Sequence, residues 1–169
     1  MILKGLKTKS IEKATKKSIS DRQFQSDSGV IKSVGVIISQ NEFQLTEVEV
    51  KALFSYLQVR DFNLVSYSKK VEKNSRNSLV SPKNFGWNGV LKTKELKSFS
   101  TTNFDVLLAL TETVDPFFKA LFALTEAKFK ISNTNKLEAV ADLTIQTTAQ
   151  NLNVLKTELH KYLTILNKI

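Results

Sequence analysis

The chain has 169 residues, 41% of them hydrophobic and 24% charged, with a net charge of +9. That is apolar material enough for one cored domain, and 2 Pro and 5 Gly are too few for a low-complexity chain. The absence of Cys excludes a disulfide framework, a thiol nucleophile and Cys-based metal sites, and a metal site or triad that needs His has only His160 to draw on.

The first residues, Met1-Ile2-Leu3-Lys4-Gly5-Leu6-Lys7, lead into no apolar stretch of the roughly 7–15 residues that a secretory leader needs. No apolar run approaches the ~18–20 residues that span a bilayer. With no Cys, the expectation is a bacterial-type cytoplasmic protein. The charge is unevenly placed. Residues 1–28 hold seven basic and three acidic groups, and residues 60–97 hold nine basic and three acidic groups. Residues 29–59 carry a net −1, and residues 98–169 carry seven of each sign. Two concentrated basic segments suit a polyanion such as RNA, DNA or an anionic membrane surface. A solvated, solubilising surface is the plain alternative.

In chain order, residues 1–28 read as a basic arm. Ile2, Leu3, Leu6, Ile11, Ala14 and Ile19 give a thin helical stripe among lysines, which predicts a helix over 3–18 and a polar connection through Ser26-Asp27-Ser28-Gly29. Residues 29–169 read as one α/β domain. Val30 to Ile38 is rich in β-branched residues and almost continuously apolar, the pattern of a strand buried on both faces. Thr46-Glu47-Val48-Glu49 is a capping box, and Val48, Leu53, Phe54 and Leu57 repeat at helical spacing, so a helix should run to about Val59-Arg60. Phe62 to Tyr67 alternates as a second strand, completing a βαβ unit with a right-handed crossover expected.

Lys69 to Thr102 is a polar, basic insertion containing Ser81-Pro82, Gly86 and Gly89. Leu79-Val80 and Val90-Leu91 are expected as short edge pairs, and Glu95 to Phe99 as one helical turn. Phe104 to Leu110 is another buried strand. Asp115-Pro116 starts a helix, with Asp as N-cap and Pro at the first helical position, and Phe117, Phe118, Leu121, Phe122 and Leu124 give it a broad apolar face. Lys128 to Ser132 and Leu143 to Gln146 are expected strands. Leu152, Leu155, Leu159, Tyr162, Leu163 and Leu166 mark a C-terminal amphipathic helix. The sum is an α/β fold: a three-layer sandwich with a mainly parallel sheet, preceded by a basic N-terminal helix.

The loop Ser39-Gln40-Asn41-Glu42 has no Gly, so it carries neither the dinucleotide fingerprint nor the P-loop. Ser66, Ser68, Thr111, Glu112 and Asp115 lie where parallel strands present ligand loops. Asp115 is better explained as a cap than as half of a carboxylate pair. His160 falls on a polar helix face with no second ligand, and neither a metal nor a cofactor is expected. Phe85-Gly86-Trp87-Asn88-Gly89 is the most unusual segment, because it sets the only Trp among lysines. Aromatics interleaved with cations stack on bases while lysines meet phosphates. Phe85 is expected to plug the core; Trp87 is open to either role.

Ser81 to Gly89, Phe104 to Leu108, Ala127 to Ile131 and Leu155 to Leu163 together resemble an uncharacterised family of small bacterial α/β proteins, a domain of unknown function. The resemblance covers most of the chain and implies no catalytic residue. More distantly, the buried strand, the helix and Ala127-Lys128-Phe129-Lys130 resemble the N-terminal half of heptosyltransferase-like enzymes, whose second domain this length does not supply.

The leading expectation is a non-enzymatic RNA-binding, ribosome-associated protein. Its contacts would be Lys4, Lys7, Lys13, Lys16, Lys17, Lys69, Lys70, Lys73, Arg76, Lys83, Trp87, Lys92 and Lys94. The alternatives are a small transferase-like enzyme using the Ser66/Ser68 and Thr111/Glu112 loops, and a membrane-peripheral adaptor lying on anionic lipid through its N-terminal helix.

Overall fold

Two strands with apolar residues on both faces make the centre of the sheet, β1 (Ser33–Ser39) and β4 (Phe104–Leu110). They pair in parallel, Val34 with Val106, Val36 with Leu108 and Ile38 with Leu110. The computed structural model describes residues 2–24, 29–70 and 79–169. Outward from β1 lie β2 (Asp61–Tyr67) and the short β3 (Leu79–Val80); outward from β4 lie β5 (Ala127–Ser132) and β6 (Leu143–Thr144). The sheet has six strands in the order β3-β2-β1-β4-β5-β6, and every pairing is parallel.

Parallel strands need helical cover on both faces. The helices are α1 (Ile2–Asp21), α2 (Glu47–Ala52), α3 (Lys94–Thr101), α4 (Pro116–Leu124) and α5 (Leu152–Ile165). One face packs Val50 of α2 and Leu155, Leu159 and Leu163 of α5 against Val34, Val36, Ile38, Val106, Leu108 and Leu110, with Leu53 and Phe54 beside them. The other packs Ile11 of α1, Leu96 and Phe99 of α3, and Phe118, Leu121 and Phe122 of α4 against Ile37, Leu107 and Ala109. The three-layer sandwich is therefore the one the hydrophobic pattern predicts. Gly35 has a packing reason. A Cβ there would lie 2.8 Å from the Phe104 ring and 2.9 Å from Leu107, so only hydrogen fits between β1 and its neighbour.

The local signals hold where they are strongest. The Thr46/Glu49 capping box forms in both directions, and Asp115 caps α4 through the amides of Phe117 and Phe118, with Pro116 at the first helical position. Boundaries differ elsewhere. β1 starts at Ser33 rather than Val30. α2 ends at Ala52, and the segment to Leu57 continues as turns in which Leu53, Phe54 and Leu57 bond to carbonyls three residues back. β6 stops at Thr144. α3 is two turns long rather than one, because Thr93 caps it. Val90-Leu91 does not pair with Leu79-Val80: the latter extends β2 in parallel, and Leu91 bridges back to Phe85.

The N-terminal helix spans Ile2–Asp21, and it is packed. Ile11 is 0% exposed within the core, and α1 lies against α4 and the 3-10 turn Trp87–Gly89. Its C-terminal end is tied down. The Ser18 hydroxyl donates to Ala123 O at 3.0 Å, and the Arg22 guanidinium makes two 2.7 Å bonds to the Asp142 carboxylate. Within the segment read as a basic arm, Ile11 of the apolar stripe is thus part of the core.

Lys130 is 1% exposed. Its ammonium donates to Phe122 O at 2.8 Å and Ala123 O at 2.9 Å, closing the last carbonyls of α4. Burial, and then the Arg22 charge, push its pKa down to about 7, against the partial pull of Asp142 and Glu126. The unfolded chain keeps this amine protonated up to its ordinary lysine value of 10.5, so between those two values the unfolded state binds more protons than the folded one. Stability therefore rises with pH across that window. Melting curves at stepped pH should show the rise in the wild type and a flatter profile in Lys130→Met.

Candidate nucleic-acid interface

β3 delivers the chain beyond the C-terminal end of β2, into two 3-10 turns, Pro82–Asn84 and Trp87–Gly89. Between them Phe85 is 0% exposed and stacks edge-on against Phe117 of α4 at 5.5 Å, which anchors the segment. Gly89 has φ +75, and a Cβ there would come within 2.7 Å of Leu124 Cδ1 and 3.7 Å of Ala14. The absent side chain lets the turn close onto α1 and α4. The Asn88 amide donates to the Ser10 hydroxyl at 3.1 Å, and Lys7 Nζ donates to Pro82 O at 3.4 Å. Trp87, held in that turn, remains 50% exposed.

This packing joins the two basic segments, 75 residues apart at the Lys7–Pro82 contact. Partial burial and then the Lys92 charge hold the Lys7 ammonium below the usual lysine range. Lys83 follows Pro82, and the Lys92 amide donates to Asn84 O at 2.9 Å, so Lys83 and Lys92 flank the same bend. Lys94 sits in the first turn of α3, where the helix dipole disfavours a cation. Its charge therefore does not serve the helix. Among the described residues, no carboxylate pairs with Lys7, Lys83, Lys92 or Lys94.

The remaining candidates spread outward. Lys4, Lys13, Lys16 and Lys17 are exposed along α1. At 1.5 Å per residue, Lys16 stands about 14 Å along the axis from Lys7. It lines a cleft of about 480 Å³ between α1 and the start of α4, together with Lys119 and Lys136 and against Glu12 and Asp115. Lys69 and Lys70 are exposed just past β2, where Lys70 O accepts from the Ser68 hydroxyl. Lys73 and Arg76 lie outside the described residues.

The crevice where the strand order reverses, between β1 and β4, is the usual ligand place of such a sheet. Here Glu42 fills it. The amides of Glu112 and Thr113 donate to its carboxylate at 2.7 and 2.9 Å, as do the hydroxyls of Thr111, at 2.9 Å, and of Thr113. Burial works to raise its pKa, but the bonds from Thr113, the Glu112 amide, Thr111 and Ser39 outweigh it and hold the carboxyl below its ordinary range. Such a group stabilises the fold above the ordinary carboxylate pKa and loses that contribution as pH falls through its folded value. Glu42→Gln should therefore cost about 1–3 kcal/mol near neutral pH, read by urea denaturation, with the difference shrinking in acid. Of the alternative enzyme loops, Ser68 accepts from Asn41 and bonds to Lys70 O. Asp115 is a cap that also accepts from the Tyr67 hydroxyl at 2.8 Å. His160 lies edge-on to Tyr56 at 4.6 Å, and among the described residues no group of acidic or His side chains could hold a metal.

Residues 7–166 match the profile of a family of unknown function, DUF6913. The chain belongs to this family. The DUF6913 match takes in α1 from Lys7 onward, the aromatic turn and the whole sheet. No curated protein and no solved structure matches the chain, so no named relative stands behind the heptosyltransferase likeness. Among the described residues, no helix is long and apolar enough to cross a membrane.

The sequence singled out Lys7, Lys83, Trp87, Lys92 and Lys94 without showing that the two segments meet. It missed Glu42 as the plug of the β1/β4 crevice and Arg22 as the latch of α1. The Gly-free loop after β1 was the available hint for Glu42; Arg22 carried no local signal.

Proposed function

We propose that this chain is a non-enzymatic protein that binds single-stranded RNA, in association with the ribosome. What supports the reading is one arrangement: Lys7, Lys83 and Lys92, without carboxylate partners among the described residues, beside the anchored turn that carries the half-exposed Trp87. Unneutralised ammonium groups held together cost free energy that a phosphate backbone relieves. An exposed indole offers a stacking face that accepts any base. Lys13, Lys16 and Lys17 add exposed positive charge further along α1, on other faces of the helix. The Glu42 carboxylate in the crevice disfavours a phosphorylated small substrate there, which favours binding over the transferase alternative.

The test is the affinity of the wild-type chain for single-stranded RNA measured across a salt series. Log affinity should fall steeply and linearly with log salt. Trp87→Ala should weaken binding by roughly 1–3 kcal/mol with little change in the salt slope, while its melting temperature stays at the wild-type value because the ring is half exposed. Absence of any salt-sensitive affinity would defeat the proposal. Vesicles of anionic lipid serve as the competing polyanion, and tighter binding to them than to RNA would favour the membrane-peripheral alternative. Co-sedimentation with ribosomes tests the finer part.

A further inference from the structure

A second cleft, of about 390 Å³, opens at the C-terminal ends of β4, β5 and β6. It shares no residue with the lysine surface. Open α/β sheets bind their ligands beyond these strand ends, and the neighbouring β1/β4 crevice is already filled by Glu42. The cleft is thus the vacant part of the usual ligand region.

Its walls are tied together before any ligand arrives. The side chain of Asn133, 2% exposed, accepts from the Thr111 amide and donates to Thr147 O, both at 2.9 Å. The Ala149 amide donates to Glu112 Oε1 at 3.0 Å, and Lys136 Nζ donates to Glu112 O at 2.7 Å. Three loops, following β4, β5 and β6, are cross-linked in this way, so little ordering entropy remains to be lost on binding.

The chemistry of the lining is selective. Hydroxyls and carboxamides line it with one carboxylate, Glu112, and neither Lys, Arg nor an aromatic ring contributes. An anion would meet the Glu112 carboxylate, and the Lys136 ammonium at the rim is already engaged by Glu112 O. A nucleobase would find no ring to stack on. The carboxamides of Asn135 and Gln146 have no side-chain partner among the described residues, and each offers two donors and an acceptor. A hydroxyl group both donates and accepts, so several hydroxyls on one small neutral molecule satisfy amides, hydroxyls and the carboxylate together.

We propose that this cleft binds a neutral, polyhydroxylated ligand, a sugar or polyol, through Glu112, Asn135 and Gln146. The probes are D-glucose, D-ribose and myo-inositol, each titrated to saturation into the isotope-labelled full chain, with inorganic phosphate and uridine as comparisons. The backbone amide signals of Thr111, Asn133, Gln146, Thr147 and Ala149 should move saturably with at least one of the three probes and stay still with phosphate. The double variant Asn135→Ala/Gln146→Ala, both exposed positions, should keep its melting temperature and weaken that probe roughly tenfold or more, the size of one or two neutral hydrogen bonds. Glu112→Gln is the independent second variant and should also weaken it. The proposal is overturned if none of the three probes moves these signals. It is also overturned if phosphate moves them as strongly, if uridine does so where ribose does not, or if affinity is unchanged in both variants.

Discussion

Ile11→Ala lowers the stability of the whole domain by about 2–5 kcal/mol, the cost of a large-to-small change in a closed core. For a chain of this size that is a fall in Tm of about 5–15 °C. Ile11 is fully buried and belongs to the same cluster as Phe118, Leu121 and Phe122. Deleting residues 1–24 removes more: Ile11, the buried Thr15, the Ser18 bond to Ala123 O and the Arg22 pair with Asp142. It also uncovers the α4 surface and the 3-10 turn against which α1 packs. The truncated chain should lose its cooperative thermal transition. Truncation at Leu6 provides the control, since Ile2, Leu3 and Leu6 are exposed and their loss should leave Tm nearly unchanged. A deletion of residues 1–24 that melts like the wild type would show that α1 is an appendage and that the packing of Ile11 carries no weight.

Changing Lys7, Lys83 and Lys92 together to Ala should reduce the slope of log affinity for RNA against log salt by roughly 2–3 units, about one for each phosphate contact removed. The three ammonium groups have no carboxylate partner among the described residues, so the variant should fold with wild-type stability. Relief of the Lys7–Lys92 repulsion works in the same direction. A control triple at Lys51, Lys156 and Lys161, on α2 and α5 across the sheet, should leave the slope intact. If both triples change the slope equally, binding follows net charge and the surface around Trp87 is not a site. If affinity falls and the slope stays, the lysines act through packing and not through phosphate.

Much of the architecture was legible because its causes are local. The continuous apolar runs at Val34–Ile38 and Phe104–Leu110 need cover on both faces, whatever surrounds them. Thr46 and Asp115 cap their own helices within three residues. Phe85 and Trp87 also divided as composition allowed: one is the anchor and the other is exposed.

The site was legible only as an inventory of lysines. The junction of α1 with the aromatic turn is made by small groups, Ser10, Ala14 and Gly89, and close approach between small residues leaves no hydrophobic signature in a sequence. Ile11 was visible as part of a thin apolar stripe, but only the fold shows that it, and not Ile2, Leu3 or Leu6, is the buried member.

By itself, then, the sequence determined the parallel three-layer sandwich, the helix starts and which residues are cationic or aromatic, since propensity, capping and burial period act over a few positions. Only the tertiary structure decided where those residues meet. Glu42 reaches Thr113 across 71 positions because the parallel register of β1 and β4 sets their ends side by side, and Arg22 reaches Asp142 across 120 because α1 folds back over α4 towards β5 and β6. Such contacts depend on the path of the whole chain, and no short stretch of residues encodes them.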